Sequence, residues 1–123
     1  MSYTMHYDTV AFDVRDNANM LFFARTTDEG DIADYLLLMR PAEDTFGGAI
    51  YLEVNENQVG GHDLIAEARM SGNILTLDLT RSIKELGGAS QIVITYDDSE
   101  ENRSSIEMGA FRVLGNTVTG GNA

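Results

Sequence analysis

The sequence predicts an α+β domain, in which an antiparallel sheet of about six to seven strands carries a short helix and a C-terminal amphipathic helix on one face. Several short segments alternate apolar and polar residues between Gly, Asn and Asp turns, as half-buried strands do. Helical spacing of apolar residues occurs near the end of the chain. With 123 residues, 43% of them hydrophobic, one core suffices. We therefore expect a single domain at 1–115 and a flexible, glycine-rich tail at 116–123.

The first half of the chain predicts a meander of strands. Residues 7–14 alternate apolar and polar side chains, which indicates a half-buried strand. Residues 20–24 are apolar throughout and predict a central strand. A third strand is expected at 35–39, and it should end at Pro41, the only proline in the chain.

The next strands follow the same rule. Residues 50–54 alternate, and a turn-rich loop is expected at 55–63. Residues 64–70 favour a fifth strand, although two alanines and a glutamate leave a short helix open. The tight turn at 71–73 leads to the alternating segment 74–79, so these residues predict a hairpin.

Two helices complete the prediction. Residues 81–86 fit a one- or two-turn helix that Thr80 could cap, and a seventh strand is expected at 91–96. Asp98 and Glu101 have the spacing of a capping box. They predict a last helix that ends at Gly115 and covers the apolar side of the sheet.

The strongly acidic composition restricts the kinds of molecule that the protein is expected to bind. The chain holds 20 acidic and 8 basic residues, a net charge of −12, which repels nucleic acids and anionic membranes and attracts basic proteins. Solubility alone explains the acidity equally well. With no cysteine, no N-terminal signal pattern and no apolar segment near the length of a membrane span, we expect a cytoplasmic protein.

No catalytic residue, metal site or cofactor is expected. His6 and His62 lie far apart and match no metal-binding spacing, and no serine lies in a nucleophile motif. The acidic segment 28–34 could bind calcium loosely, but it does not match an EF-hand loop and a solvated hairpin loop is favoured. Asp97, Asp98, Glu100 and Glu101 would interact with the positive end of the last helix, and they also form a negative patch that could bind a partner.

Several segments, taken in order, resemble a known family. They are YLLLMR at 35–40, the phrase YLEVNENQVGG at 51–61, ILTLDL at 74–79, Leu86-Gly87 and the acidic start of the last helix. Between residues 7 and 114 the chain resembles the Imm10 family of immunity proteins. That family belongs to bacterial polymorphic-toxin systems, in which a small cytoplasmic protein binds a toxin domain and blocks it.

The resemblance implies the function and a candidate patch. We expect an immunity-type protein that neutralises a cognate toxin with a basic surface by steric and electrostatic blocking, as a monomer or a dimer. The implied patch comprises Tyr51, Glu53, Gln58, Gly60 and Gly61. The last helix departs from the family pattern, because Met108-Gly109 is expected to interrupt it. The alternative function is a small-molecule or calcium-binding module of unknown role.

Overall fold

The computed structural model describes residues 2–41, 50–59, 64–114 and 118–119. Within these ranges, ten strands and one α-helix form an α+β fold, which confirms the predicted class. The expected single sheet is wrong, because the strands divide into two five-stranded sheets. In chain order the elements are β1 Ser2–Tyr7, β2 Thr9–Arg15, β3 Ala18–Thr26, β4 Ile32–Pro41, β5 Tyr51–Val54, β6 Asn57–Val59, β7 Ile65–Ser71, β8 Ile74–Ile83, a 3₁₀ turn Lys84–Leu86, β9 Ala89–Tyr96, α1 Glu100–Leu114 and β10 Val118–Thr119.

The two sheets differ in topology. One, called the mixed sheet below, has the order β1-β9-β8-β7-β10, and its outermost strands β1 and β10 run parallel to their neighbours. The other, called the antiparallel sheet, has the order β2-β3-β4-β5-β6 with every pair antiparallel. Two residues of the predicted tail therefore form β10 beside β7.

The chain passes from one sheet to the other at Asp8. Its carboxylate accepts hydrogen bonds from the Thr9 and Thr26 hydroxyls and from the Thr26 backbone N–H. These bonds hold a bend that leaves β1 paired with β9 and directs β2 toward β3. The predicted strand at 7–14 is thus divided, and β1 lies mostly outside it.

The core lies between the facing sides of the two sheets. The Phe23 ring of the antiparallel sheet lies 6.1 Å from the ring of Tyr7 and 6.2 Å from that of Tyr96, both in the mixed sheet. Leucine and isoleucine side chains from alternate positions of both sheets surround these rings and are fully buried. Their burial supplies most of the hydrophobic stabilisation.

Helix α1 packs over β2 and β3 on the core side of the antiparallel sheet. It begins after Ser99, whose hydroxyl accepts the Asn102 N–H at 3.1 Å, so Ser99 and not Asp98 is the cap. The helix also runs through Gly109 without interruption, contrary to expectation. A Cβ at Gly109 would lie 2.5 Å from Phe12 Cδ1 and 3.0 Å from Leu21 Cδ1. The glycine therefore allows a close approach of helix and sheet.

Two other predicted segments differ from the observed secondary structure. Residues 57–59, expected in a loop, form β6. The predicted helix at 81–86, with Thr80 as its cap, is wrong, because β8 continues to Ile83 and the Thr80 N–H donates to the Leu64 carbonyl at 2.8 Å. Only the 3₁₀ turn remains helical there, and Gly87 ends it at a φ of 67°. Strand β7 and its hairpin with β8 are confirmed. None of the helices in the described ranges is long and apolar enough to cross a membrane.

Candidate functional site

The outer face of the antiparallel sheet carries apolar and aromatic side chains. Successive residues of a strand point to opposite faces, so the neighbours of the buried core residues in β3, β4 and β5 point away from the core. They form two rows that cross the strands. Met20, Met39 and Tyr51 form the first row, and Phe22, Leu37 and Glu53 form the second. With Tyr35, all seven are partly exposed. We call this set, Met20, Phe22, Tyr35, Leu37, Met39, Tyr51 and Glu53, the Met–Tyr face.

Glu53 is the acidic member of the Met–Tyr face. The Tyr35 hydroxyl donates a short hydrogen bond to Glu53 Oε2, and the Tyr51 hydroxyl donates to Oε1 at 2.5 Å. These bonds, that of Tyr35 foremost, hold the pKa of Glu53 below its usual range. The same bonds are the main cause of the raised pKa of each tyrosine. Glu53 is therefore ionised at neutral pH, between two neutral phenols.

A depression lies beside this cluster. The rings of Phe22 and Tyr35 stack with their centroids 5.5 Å apart and an interplanar angle of 25°. They form one wall of an open depression of about 410 Å³, which is also lined by Ile32, Ala33, Asn55 and Glu56. Ile32 is 54% exposed. The depression thus joins an apolar wall to an acidic rim.

The β5–β6 turn fixes that rim. Asn55 and Glu56 have φ values of 48° and 71°, as in the type I′ turns that suit hairpins. A glutamate rarely adopts this conformation, which favours glycine. The turn is held by Tyr35, whose N–H donates to Asn55 Oδ1 at 2.8 Å and whose hydroxyl accepts the Glu56 N–H at 2.9 Å. Tyr35 therefore links the turn to the face.

The outer face of the mixed sheet has the opposite character. Ser2 Oγ donates to Gln91 Oε1 at 2.7 Å, Gln91 Nε2 donates to Asp78 Oδ1 at 2.9 Å, and Arg69 donates to the same carboxylate at 3.0 Å. These polar side chains satisfy one another across β1, β9, β8 and β7. The outer face of the mixed sheet is thus mainly polar, with Ile74 and Val93 as apolar members.

The residues predicted as binding residues fall in separate places. Tyr51 and Glu53 lie on the Met–Tyr face. Gln58 pairs with Glu53 in the β5–β6 ladder, whereas its side chain, Gly60 and Gly61 lie outside the described residues.

The predicted acidic residues Asp97, Asp98, Glu100 and Glu101 are exposed where β9 leads into α1. Asp97 N–H donates to the Tyr7 carbonyl at 3.1 Å, near the start of β2. Strands β3 and β4 separate β2 from β5. The structure therefore does not bring the two predicted groups into one patch.

The pairing of β1 with β9 forms a group that the sequence did not predict. His6 Nδ1 lies 2.7 Å from Thr95 Oγ1, and His6 Nε2 lies 2.8 Å from Asp97 Oδ1. A hydroxyl, an imidazole and a carboxylate in this order match the parts of a nucleophilic site. The side chains of His6 and Asp97 are 55% and 57% exposed, however. Such exposure does not provide the water-excluded site in which that chemistry is favoured.

The described residues form no metal-binding cluster. No three histidine or acidic side chains there lie close enough to hold a metal ion. Asp34, the last acidic residue of the segment 28–34, forms a salt bridge with Arg25.

Neither a scan against protein-family models nor a search of curated proteins finds a match for this chain. The resemblance to the Imm10 family therefore stays a prediction.

The signal for the Met–Tyr face is present in the sequence. Residues 20–24 and 35–39 are apolar at consecutive positions, and in a strand such a run must place apolar side chains on both faces. An apolar run alone does not show whether the second face is covered.

Proposed function

We propose that this protein is an immunity-type recognition protein of the bacterial cytoplasm, which binds a basic toxin domain through the Met–Tyr face and blocks it. The observation that supports this most is the contrast between the two outer faces. Contiguous apolar side chains that stay partly exposed on a protein surface mark interaction sites.

The composition of the face suits a protein partner. Tyr, Phe and Met are enriched at the centres of protein interfaces, where aromatic anchors contribute most of the affinity. Tyr35 and Tyr51 are held in place by Glu53, so they lose little conformational freedom on binding. The depression beside them is open and shallow, which suits a protruding side chain of a protein better than an enclosed small molecule.

Charge supplies the second part of the proposal. The net charge of −12 accelerates the encounter with a basic surface and disfavours acidic competitors. The exposed acidic residues at the start of α1 contribute to this long-range field although they lie away from the Met–Tyr face. They act mainly on the association rate, whereas the face determines how long the complex lasts.

Growth rescue tests the proposal. The toxin encoded beside the gene for this chain should arrest bacterial growth when expressed alone, and co-expression of the wild-type chain should restore growth. Leu37→Ser on the Met–Tyr face should abolish the rescue. Val93→Ser is the matched control, because Val93 is also a half-buried apolar residue, on the outer face of the mixed sheet.

Thermal melts of both variants establish that they are folded. Failure of the wild-type chain to restore growth would contradict the immunity function. Equal rescue by Leu37→Ser and Val93→Ser would instead contradict the assignment of the binding face.

A further inference from the structure

We infer that the corner where Phe22, Tyr35 and Glu53 of the Met–Tyr face meet Glu56 of the β5–β6 turn binds an arginine side chain of the partner protein. This corner, called the cation corner below, would place a guanidinium between the stacked rings and the two carboxylates. The inference rests on the proposed function and adds to it the chemistry of the group that is recognised.

Within the described part of the chain, the Glu53 carboxylate has acceptor positions that are not used. Each oxygen of Glu53 accepts one tyrosine hydroxyl, and an ionised carboxylate offers about four acceptor positions. Four arginine–carboxylate ion pairs occur among the described residues, and neither Glu53 nor Glu56 belongs to any of them. The negative charge of the corner is therefore not neutralised by the described part of the chain.

The rings of the corner suit a planar cation. Arginine stacks on aromatic faces and makes cation–π contacts within about 6 Å of a ring centroid. The chain itself contains such a contact, because Arg112 Cζ lies 5.8 Å from the centroid of the Phe12 ring. The Phe22–Tyr35 pair offers a comparable surface, and it lines the open depression.

Geometry favours arginine over lysine. A guanidinium can stack on a ring and donate to a carboxylate at the same time, whereas an ammonium is a compact, strongly hydrated charge. Glu56 is held at the rim by the β5–β6 turn, with its N–H bonded to the Tyr35 hydroxyl. Because Glu56 lines the same depression as the stacked pair and Glu53 is bonded to Tyr35, we expect the two carboxylates to accept donors on different edges of the same guanidinium.

Charge also favours a basic partner over a second copy of the chain. Two copies with a net charge of −12 each repel one another at low salt. A basic protein is attracted by the same field. The occupant that fits the cation corner is thus an arginine of a basic protein.

A titration with single amino-acid derivatives tests the corner without the toxin. The uniformly ¹⁵N-labelled full chain is titrated with N-acetyl-arginine methylamide, and separately with the lysine and citrulline derivatives. Citrulline has nearly the shape of arginine but no charge. We expect saturable shifts at the amides of residues 22, 35, 53 and 56, about fivefold tighter for arginine than for lysine, and no saturation with citrulline.

Two variants and one control complete this test. Glu53→Gln and Phe22→Leu should each weaken the arginine titration by at least about threefold. Glu107→Gln removes the same charge from an exposed position of α1 and should leave the titration unchanged. Shifts spread evenly over the acidic surface, or equal responses to arginine and citrulline, would overturn the inference.

The growth assay separates this inference from the function on which it rests. If Glu53→Gln loses the rescue while Glu107→Gln keeps it, the corner acts in toxin recognition. Rescue by Glu53→Gln together with loss of rescue by Leu37→Ser would leave the function standing and overturn the arginine site. Sedimentation of the wild-type chain should show a monomer. A dimer that Leu37→Ser dissociates would show that the face binds a second copy, against the inference.

Discussion

Replacement of the buried Asn102 in α1 by alanine should strongly destabilise the fold. Asn102 is the only buried polar residue among those described, at 4% exposure. Its Oδ1 accepts the Val10 N–H at 2.9 Å, and its Nδ2 donates to the carbonyls of Asp8 and Asp97 at 2.9 and 2.8 Å. One side chain thus joins the first turn of the helix to the start of β2 and the end of β9.

The magnitude follows from those three bonds. Each contributes about 1 kcal/mol net, and buried groups left without a partner raise the cost. Asn102→Ala should therefore lower the unfolding free energy by about 3 kcal/mol. This is a large share of the roughly 5–15 kcal/mol that stabilise a typical domain. For a chain of this length, the loss should lower Tm by roughly 10 °C. Urea unfolding followed by circular dichroism measures it.

Two further variants test the reasoning. Ser104→Ala, at an exposed position of the same helix, should stay within about 0.5 kcal/mol of the wild type. Asn102→Asp keeps the acceptor for Val10 but places a carboxylate against two carbonyl oxygens, so its pKa should rise and its deficit should shrink as acidification protonates it. If Asn102→Ala unfolds within about 1 kcal/mol of the wild type, the three bonds do not hold the junction as described.

Three other predictions concern stability. The buried Tyr7 hydroxyl has no hydrogen-bond partner among the described residues, so Tyr7→Phe should stabilise the chain by about 1 kcal/mol. Tyr96→Phe loses a 3.4 Å hydrogen bond and should not stabilise it. Equal shifts of Tm in the two variants would refute this prediction. Gly109→Ala should destabilise by about 1 kcal/mol in urea, because the clash with Phe12 exceeds the gain in helix propensity; a more stable variant would contradict it. Hydrogen bonds from Thr9 and Thr26 lower the pKa of Asp8 in the folded state. The ionised Asp8 carboxylate therefore stabilises the fold above its unfolded pKa of about 4, and this stabilisation is lost as the pH falls through the lower pKa of the folded state. Asp8→Asn should flatten the acid side of the stability profile, and an unchanged profile would refute that.

The strands could be predicted because their signal is local, whereas the division into two sheets could not. In β1 every second residue, Tyr3, Met5 and Tyr7, points toward the core, and in β2 Val10 and Phe12 do the same. The interval from Tyr7 to Val10 is three residues, however, where an uninterrupted strand would require two. That change of phase marks the bend at Asp8. Which strands then pair depends on contacts between distant residues, such as β1 with β9, and alternation contains no information about them.

The arrangement of the candidate site also depends on strand pairing that the sequence pattern does not reveal. Alternation places Tyr51 and Glu53 on the outer side of β5, as expected from the sequence. The hydrogen bond from Tyr35 to Glu53 requires β4 to pair with β5 in one register, and that register is not encoded in either segment alone. The predicted acidic patch at the start of α1 is exposed, but its distance from β5 also depends on the pairing of the strands.

The mixed sheet provides an internal comparison for the role of the Met–Tyr face. Its outer side is mainly polar, with side chains that hydrogen-bond to one another, so a sheet in this fold does not need a mainly apolar exterior. Substitution of Leu37 and Met39 by threonine, a strand former that water solvates well, should therefore lower the unfolding free energy by no more than about 2 kcal/mol, because both side chains are already partly exposed. The same double substitution should abolish toxin neutralisation. A loss of several kcal/mol would show that the face serves the fold, and the proposed binding surface would then lose its support.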